Sequence, residues 1–245
     1  MTEKAKRPSL TSLVGQMVVP GDNIMNLPTD GQEVRLGGGL RQIGDHLIST
    51  RAGIVRHHQP GKYWMEGSQK RYVPAVEDSV IGIVSNRHGE SFEVDIGAAA
   101  KATLPMLNFE GASRRNRPNI KVGQLVYARV ETVHREVDPE LSCVDNYGKS
   151  NGFGALNGGY MFNVTTGLAR ALLTVPTAPV LAALGKALSY EIAVGINGRV
   201  WVNSTNVTTT ILVSNAILNS EFLTSDQAEF MVQKLLECLK QTADA

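Results

Sequence analysis

The sequence predicts an α+β multidomain protein, in which two β-rich segments precede a segment of mixed helices and strands. Three observations predict this fold class. Short β-prone runs separated by Gly, Pro and Asp fill residues 1–72, and five more strand candidates fill residues 73–150. Helix-period stretches begin only within residues 151–245. A chain of 245 residues suits two or three compact domains, so we assign one domain to each segment.

The first segment, residues 1–72, is predicted to be an N-terminal β domain. Its β-prone runs cover residues 16–22, 33–58 and 62–67, and none of them has helical periodicity. The first ten residues carry charge but no apolar stretch of the kind found in secretory signals, and no apolar run reaches the ~18 residues that span a bilayer. We therefore expect an intracellular protein without a membrane partner.

The second segment, residues 73–150, is predicted to be a five-stranded barrel. Phe92, Val94 and Ile96 alternate with Glu93 and Asp95, which is the period of a strand with one buried face. Five short strands with a long polar connection between the third and the fourth are typical of an OB-type barrel. The connection, residues 108–124, carries a cluster of basic residues.

The third segment, residues 151–245, follows the order strand, helix, helix, strand, strand, helix, with one further helix at the end. This is the β-α-α-β-β-α order of the KH fold of eukaryotic RNA-binding proteins. The last helix starts near Thr224 and Gln227, which stand at capping-box spacing. An OB-type barrel followed by a KH domain makes single-stranded RNA the leading ligand class.

Motifs for catalysis, metal binding and cofactors are missing from the sequence. It contains no G-x-S-x-G, no H-E-x-x-H and no clustered carboxylates, and its two cysteines, Cys143 and Cys238, cannot form a zinc site. The Asp-Pro-Glu triplet at residues 138–140 is interpreted as a turn rather than a metal site. We predict no catalytic residue, no metal ligand and no cofactor.

The candidate RNA-binding residues lie in the barrel. Arg114, Arg115 and Arg117 belong to a stretch, residues 111–130, with five basic and no acidic residues. Guanidinium groups bind phosphates and stack on bases, and an aromatic platform commonly accompanies them. The further candidates are Phe92 as the platform, His88, Lys101 and Arg129. The alternatives for the arginine cluster are a solvated loop or a protein-docking surface. The alternative for Phe92 is burial in the core.

Five sequence runs together resemble one known family. They are KRYVP at 70–74, VIGIV at 80–84, FEGASRRNRPN at 109–119, CVDNYGKSNGFG at 143–154 and GINGRVWV at 195–202. In this order they are similar to the RNA exosome cap subunits of the ribosomal RNA-processing protein 40 family, also called exosome component 3. The resemblance covers nearly the whole chain from about residue 16.

The resemblance implies three domains: an N-terminal β domain, a central S1 domain of OB type and a C-terminal KH domain. Members of the family are not catalysts. Together with other cap subunits they sit on a ring of RNase PH-like subunits and guide RNA into a central channel for 3′-to-5′ processing and decay. The implied protein is a hetero-oligomer subunit of nucleus, nucleolus and cytoplasm, and its RNA contacts are independent of sequence.

The Gly195-Ile196-Asn197-Gly198 run could be an RNA clamp or a hairpin turn. A KH clamp of G-x-x-G type lies between the first two helices, whereas this run lies between two predicted strands. Asn-Gly between alternating apolar residues is a strong hairpin signal. We therefore predict a structural hairpin at the S1–KH junction, formed by Gly195, Asn197 and Gly198, with Trp201 buried nearby.

Two alternatives to the exosome assignment stay open at the level of sequence. One is a free-standing RNA-binding regulator that uses its KH and S1 domains independently. The other is the sister cap subunit, ribosomal RNA-processing protein 4, which has the same domain order. The runs SRRNRPN and NYGKSNGFG favour the first-named family over this sister subunit.

Overall fold

A computed structural model of the chain describes residues 13–27, 33–58, 61–67, 69, 71–134, 136–145, 147–174 and 177–243. The stretch judged free of a secretory signal, residues 1–10, lies outside these ranges. The chain divides into two compact units, Met1–Ser68 and Gln69–Ala245. Each unit is described separately below.

The described part of the first unit consists of two small sheets. The strands are β1 (Met17–Val18), β2 (Asn23–Asn26), β3 (Arg35–Leu36), β4 (Leu40–Ile43), β5 (His46–Ser49), β6 (Gly53–His58) and β7 (Lys62–Glu66). The four-stranded sheet has the order β1-β6-β7-β3, and the three-stranded sheet has the order β2-β5-β4. Six buried apolar side chains form the core, namely Val18, Ile24, Met25, Leu47, Val55 and Met65. The prediction of an N-terminal β domain is confirmed.

The second unit begins with a closed barrel. Its strands are β8 (Ser79–His88), β9 (Ser91–Asp95), β10 (Ala102–Pro105), β11 (Leu125–His134) and β12 (Val137–Ser142). They pair in the order β12-β10-β9-β8-β11, and an additional β11–β12 pairing closes the ring. All pairs are antiparallel except β10 with β12, as Thr103 and Glu140 show. The predicted OB-type barrel is therefore confirmed.

The alternation predicted for the second barrel strand is also confirmed. Phe92, Val94 and Ile96 are fully buried in the barrel core, whereas Glu93 and Asp95 are partly exposed. Because successive side chains of a strand point to opposite faces, this strand has one face inside the barrel and one outside.

The predicted turn at residues 138–140 is wrong, because these residues lie inside β12. The pairing of β12 with β11 shifts register on both sides of the Thr132–Glu140 pair. Such irregularities are positions where a strand accepts proline, which has no N–H for the ladder. The bulged register therefore accommodates Pro139 within a strand.

A KH domain follows the barrel. Its elements are β14 (Tyr160–Asn163), α1 (Thr166–Leu173), α2 (Pro179–Ala187), β15 (Glu191–Gly195), β16 (Arg199–Asn203) and α3 (Val207–Asn219). A short strand, β13 (Gly154–Leu156), leads into it and pairs with β11 of the barrel. The sheet has the antiparallel order β14-β16-β15, and the helices pack over its apolar face. This order confirms the predicted KH fold.

The helix ends follow local capping rules. The Thr165 side chain accepts a hydrogen bond from Leu168 N at the start of α1, and Asn206 accepts one from Thr208 N at the start of α3. After a short 3₁₀ turn (Ser220–Phe222), the final helix α4 (Ser225–Ala243) packs on the KH core through Ala228 and Val232. None of the helices in the described part of the chain is long and apolar enough to cross a membrane.

Candidate nucleic-acid interface

The basic loop between β10 and β11 exposes its arginines on an ordered backbone. Arg114, Arg115 and Arg117 are all exposed. Ser113 N donates to Asn116 O at 3.0 Å, and Asn116 N donates back to Ser113 Oγ at 3.0 Å. Because these bonds hold the loop in one conformation, the guanidinium groups are presented to solvent with little further ordering of the backbone.

The three arginines differ in how far their charge is compensated. Arg117 Nη2 lies 3.2 Å from Glu90 Oε1, and its Nε donates to Arg114 O. Among the described residues, no carboxylate lies within ion-pairing distance of Arg114 or Arg115. Arg114 and Arg115, like the exposed Lys121 of the same loop, therefore carry positive charge that no described carboxylate compensates.

His88 and Lys101 meet on the outer face of the barrel around one carboxylate. Lys101 Nζ lies 3.1 Å from Glu93 Oε1, and His88 Nε2 lies 3.8 Å from Glu93 Oε2. The hydrogen bond from Lys101 is the largest cause that lowers the pKa of Glu93 below its ordinary value. Glu93 therefore stays ionised at neutral pH and offsets part of the positive charge that was predicted for this surface.

Phe92 is not a platform for bases, so this prediction is wrong. Its side chain is fully buried in the barrel core and contacts Phe109 edge-on, with 6.4 Å between the ring centroids. The Arg87 guanidinium lies 5.9 Å from its ring centroid. The alternation of apolar and polar residues along β9 places Phe92 on the strand face that points into the barrel.

Arg129 is likewise withdrawn from the predicted RNA surface. Its side chain is only 11% exposed, and Nη1 donates to both carboxylate oxygens of Glu77 at 2.8 and 2.9 Å. Nη2 donates to Val144 O at 3.4 Å. The Arg129 side chain points away from the barrel interior, where Glu77 and Val144 cover it. Its charge therefore forms a structural ion pair with Glu77.

The Gly195–Gly198 run forms the turn between β15 and β16 and lies against the barrel. Asn197 Nδ2 donates to Ile81 O and Ile96 O, both at 2.9 Å, and Asn197 Oδ1 accepts from Ile81 N at 3.3 Å. A Cβ at Gly195 would lie 2.7 Å from Ile81 N, so the close approach of the two backbones requires glycine there. The turn thus joins the KH domain to β8 and to Ile96, the residue that directly follows β9.

An ion pair lies beside this turn. Arg199, whose side chain is 12% exposed, places Nη2 2.8 Å from Asp95 Oδ2, and its Nη1 donates to Ile81 O and Asp95 O. Burial alone would raise the pKa of Asp95. The Gly97 N–H and the Arg199 guanidinium outweigh this effect, so the pKa of Asp95 lies below its ordinary value.

Apolar side chains complete the contact between barrel and KH domain. Ile81 of the barrel and Ala193 and Trp201 of the KH sheet are buried together, and Trp201 Nε1 donates to Gly158 O at 2.9 Å. The partly buried residues around them are Leu125, Tyr127, Leu156 and Met161. The buried Trp satisfies its only donor, so this cluster excludes water without an unpaired indole N–H.

The Asp95–Arg199 pair predicts a dependence of stability on pH. Because the folded-state pKa of Asp95 is lowered, its stabilising contribution is present above the ordinary value of about 3.9 and is lost as pH falls through the folded pKa. Asp95→Asn should cost about 1 kcal/mol at neutral pH, a figure kept small because the Asp95 side chain is 44% exposed. Urea unfolding at several pH values should show that the variant and the unmodified chain approach the same free energy of unfolding below about pH 4. A difference that is constant from neutral to acid pH would contradict a role for the charge.

The segment where a KH domain carries its RNA clamp has a different composition here. The clamp position lies between α1 and α2, where the sequence from Leu173 to Pro179 has two prolines and no glycine. Val175 and Pro176 of this segment lie outside the described residues. The G-x-x-G run is therefore in the chain, but at the barrel contact, with Gly195 and Asn197 facing β8.

Comparison with known proteins decides the family. The model described as "Exosome complex component RRP40, S1 domain" matches residues 72–154, a KH domain model matches 159–208, and "Exosome complex exonuclease Rrp40 N-terminal domain" matches 34–71. The putative exosome complex component rrp40 of Dictyostelium discoideum is 46% identical over 93% of this chain and 95% of its own length. The chain belongs to the RRP40 family.

Further relatives agree with this assignment. The exosome complex component RRP40 of Homo sapiens is 36% identical, and the alignment covers 92% of each chain. Among solved structures, one described as a putative exosome complex RNA-binding protein matches with a TM-score of 0.55 and 21% identity. It covers 69% of this chain and 97% of its own, and at this identity it supports the fold alone.

Proposed function

We propose that this member of the RRP40 family is a non-catalytic subunit of the RNA exosome that guides single-stranded RNA by its phosphates, without regard to sequence. The observation that carries the proposal is the ordered loop with Arg114 and Arg115 exposed and uncompensated. The KH domain contributes by holding the barrel in place, since its G-x-x-G run is engaged by Ile81 and Ile96.

Electrostatics supports binding that does not depend on sequence. Phosphate contacts carry no sequence information, whereas base readout of a single strand requires exposed aromatic and hydrogen-bonding groups. Phe92 is buried, and Lys101 and His88 share the charge of Glu93. A few phosphate contacts of this kind produce moderate affinity that falls steeply with salt.

The proposal assigns RNA cleavage to other subunits of the complex. Because one matching domain model is described as part of an exonuclease, the absence of cleavage by this chain requires a direct test. In the described part of the chain, no group of three or more His, Cys, Asp or Glu side chains lies close enough to hold a metal ion. If the purified full chain shortened labelled RNA, and substitution of one of its own carboxylates abolished the activity, the proposal would be overturned.

Charge reversal tests the guiding role. Arg114→Glu with Arg115→Glu should weaken binding of single-stranded RNA, and the slope of log affinity against log salt should fall in magnitude by about 1.4, or ~0.7 for each lost phosphate contact. Fluorescence anisotropy of the full chain with labelled RNA at several salt concentrations measures both quantities.

The matched control makes the same change of net charge at residues that do not belong to the loop. Arg41→Glu with Lys186→Glu alters two exposed basic residues of the first unit and of the KH domain. This variant should keep the salt slope of the unmodified chain. If the loop variant bound and crosslinked RNA in the assembled particle as well as the unmodified chain does, the result would instead favour an adaptor that does not contact RNA.

The partners in this proposal are RNase PH-like ring subunits and other cap subunits, in nucleus, nucleolus and cytoplasm. Size-exclusion chromatography of native extract distinguishes this assembly from a free-standing regulator. Co-elution with ring subunits in a large particle supports the exosome role. Elution as a monomer near the 26.4 kDa mass of the chain would support the regulator.

A further inference from the structure

Tyr147, which lies within the CVDNYGKSNGFG run, is an exposed aromatic side chain outside the predicted RNA-binding residues. It lies in the connection between β12 and β13, and it is 89% exposed. The only aromatic residue that was predicted to stack on bases, Phe92, is fully buried. Tyr147 therefore offers what the arginine loop lacks, namely an accessible aromatic face on the barrel domain.

The turn that carries Tyr147 is ordered by hydrogen bonds. The N–H groups of Tyr147 and Lys149 donate to Asp145 Oδ1 at 2.8 and 2.9 Å, and Gly148 N donates to Asp145 O at 3.0 Å. The Lys149 N–H is the largest cause that lowers the pKa of Asp145 below its ordinary value. An ordered backbone reduces the conformational entropy that would be lost when the ring binds a ligand.

Two hydrogen bonds tie this turn to the arginine loop. Ser150 N donates to Glu110 Oε2 at 3.0 Å, and Cys143 N donates to Asn108 O at 2.9 Å. A chain spans at most about 3.6 Å per residue, so Tyr147 lies within about 11 Å of Ser150, and Arg114 within about 14 Å of Glu110. Both lie within reach of one RNA strand, because an OB-type domain binds about 4–16 nucleotides.

We propose that Tyr147 is a stacking platform for a base of the single-stranded RNA whose phosphates contact Arg114 and Arg115. This inference rests on the proposed function and adds to it a specific subsite. Every base has an aromatic face, so stacking on Tyr147 adds affinity without selecting a sequence.

Charge favours this division of roles between the two loops. Asp145 and Glu110 are ionised at neutral pH, since hydrogen bonds from neighbouring groups lower the pKa of each carboxyl. Their negative charges disfavour a phosphate directly beside the Tyr147 turn. They do not disfavour an uncharged base, so the base is placed on Tyr147 and the phosphates on the arginines.

Substitution of Tyr147 tests the platform with the full chain and a fluorescein-labelled oligouridine at low salt. Tyr147→Ala should weaken binding about five- to a hundredfold, which corresponds to the stacking of one base. Tyr147→Phe keeps the aromatic face and should bind as the unmodified chain does. Phe222→Ala is the matched control, because Phe222 is also 89% exposed but lies in the KH domain, and it should leave the affinity unchanged.

The salt dependence separates this inference from the proposed function. Tyr147→Ala should leave the salt slope unchanged, because no phosphate contact is lost, whereas reversal of Arg114 and Arg115 should lower it. Unaltered affinity of Tyr147→Ala alongside weakened binding by the arginine variant would overturn the platform alone. Unaltered affinity of the arginine variant would overturn the guiding role itself. Loss of co-elution with ring subunits, with RNA affinity intact, would identify Tyr147 as a protein contact and would also overturn the platform.

Discussion

Gly198→Val should lower the free energy of unfolding of the barrel–KH unit by about 2–5 kcal/mol. Gly198 has φ of +80°, a conformation that β-branched residues rarely adopt. A Cβ at this position would lie 2.5 Å from Val164 O, a backbone atom. Since Gly198 O also accepts a hydrogen bond from Val164 N at 2.7 Å, the two segments cannot separate without losing that bond.

A second glycine separates the two causes of this loss. Gly123 has φ of +89°, but no atom lies within 4 Å of the position that its Cβ would occupy. Gly123→Val should therefore cost only the conformational part, about 1–2 kcal/mol. Urea unfolding of both variants measures the difference. Equal losses would show that contact with Val164 does not matter.

Incorporation into the exosome is the functional measure for the same variant. We expect Gly198→Val to reduce co-elution with ring subunits in proportion to its loss of stability, because the hairpin holds the KH domain on the barrel. If RNA binding were lost while stability and assembly stayed normal, the run would be an RNA contact rather than a structural turn.

Asn197→Asp should cost about 2–5 kcal/mol although it changes almost no volume. The substitution removes both donors of Nδ2, which bind Ile81 O and Ile96 O at 2.9 Å each. It also places a negative charge opposite two carbonyl oxygens. Ile81 O keeps the hydrogen bond that Arg199 donates. Ile96 O accepts from no other described side chain, so it loses its side-chain donor.

Asn157→Asp is the control for this change. Asn157 uses its side-chain oxygen as an acceptor, from Gln124 Nε2 at 3.2 Å, at an exposed site. Aspartate keeps that acceptor, so the free energy of unfolding should stay close to that of the unmodified chain. A similar loss for both variants would mean that the added charge, rather than the lost donors, determines the effect at Asn197.

Local sequence patterns were sufficient for most of the elements, although they placed residues 138–140 in a turn rather than in β12. Period-2 alternation predicted β9, and the Asn-Gly pair predicted the turn before β16, because both depend on the conformations of neighbouring residues. The same alternation placed Phe92 on the buried face, so the sequence contained the signal against its role as a platform.

Alternation also placed Arg129 on the outer face of the barrel, between the buried Ala128 and Val130. The outer face is normally exposed, yet Glu77 and Val144 cover the Arg129 side chain. Nothing near Arg129 in sequence signals this cover, because Glu77 precedes it by 52 residues. The error therefore arose from packing and not from secondary structure.

The sequence by itself determined the three-domain order, most of the strands and helices and the family to which the chain belongs. Only the tertiary structure decided which outward-facing side chains are available: it covered Arg129, exposed Tyr147, and joined Asn197 to Ile81 across 116 positions of the chain. Backbone periodicity depends on residues close in sequence, whereas exposure and hydrogen-bond partners depend on which distant surfaces pack together. For that reason the G-x-x-G run could be predicted to be a turn from the sequence, while its partners on the barrel could not.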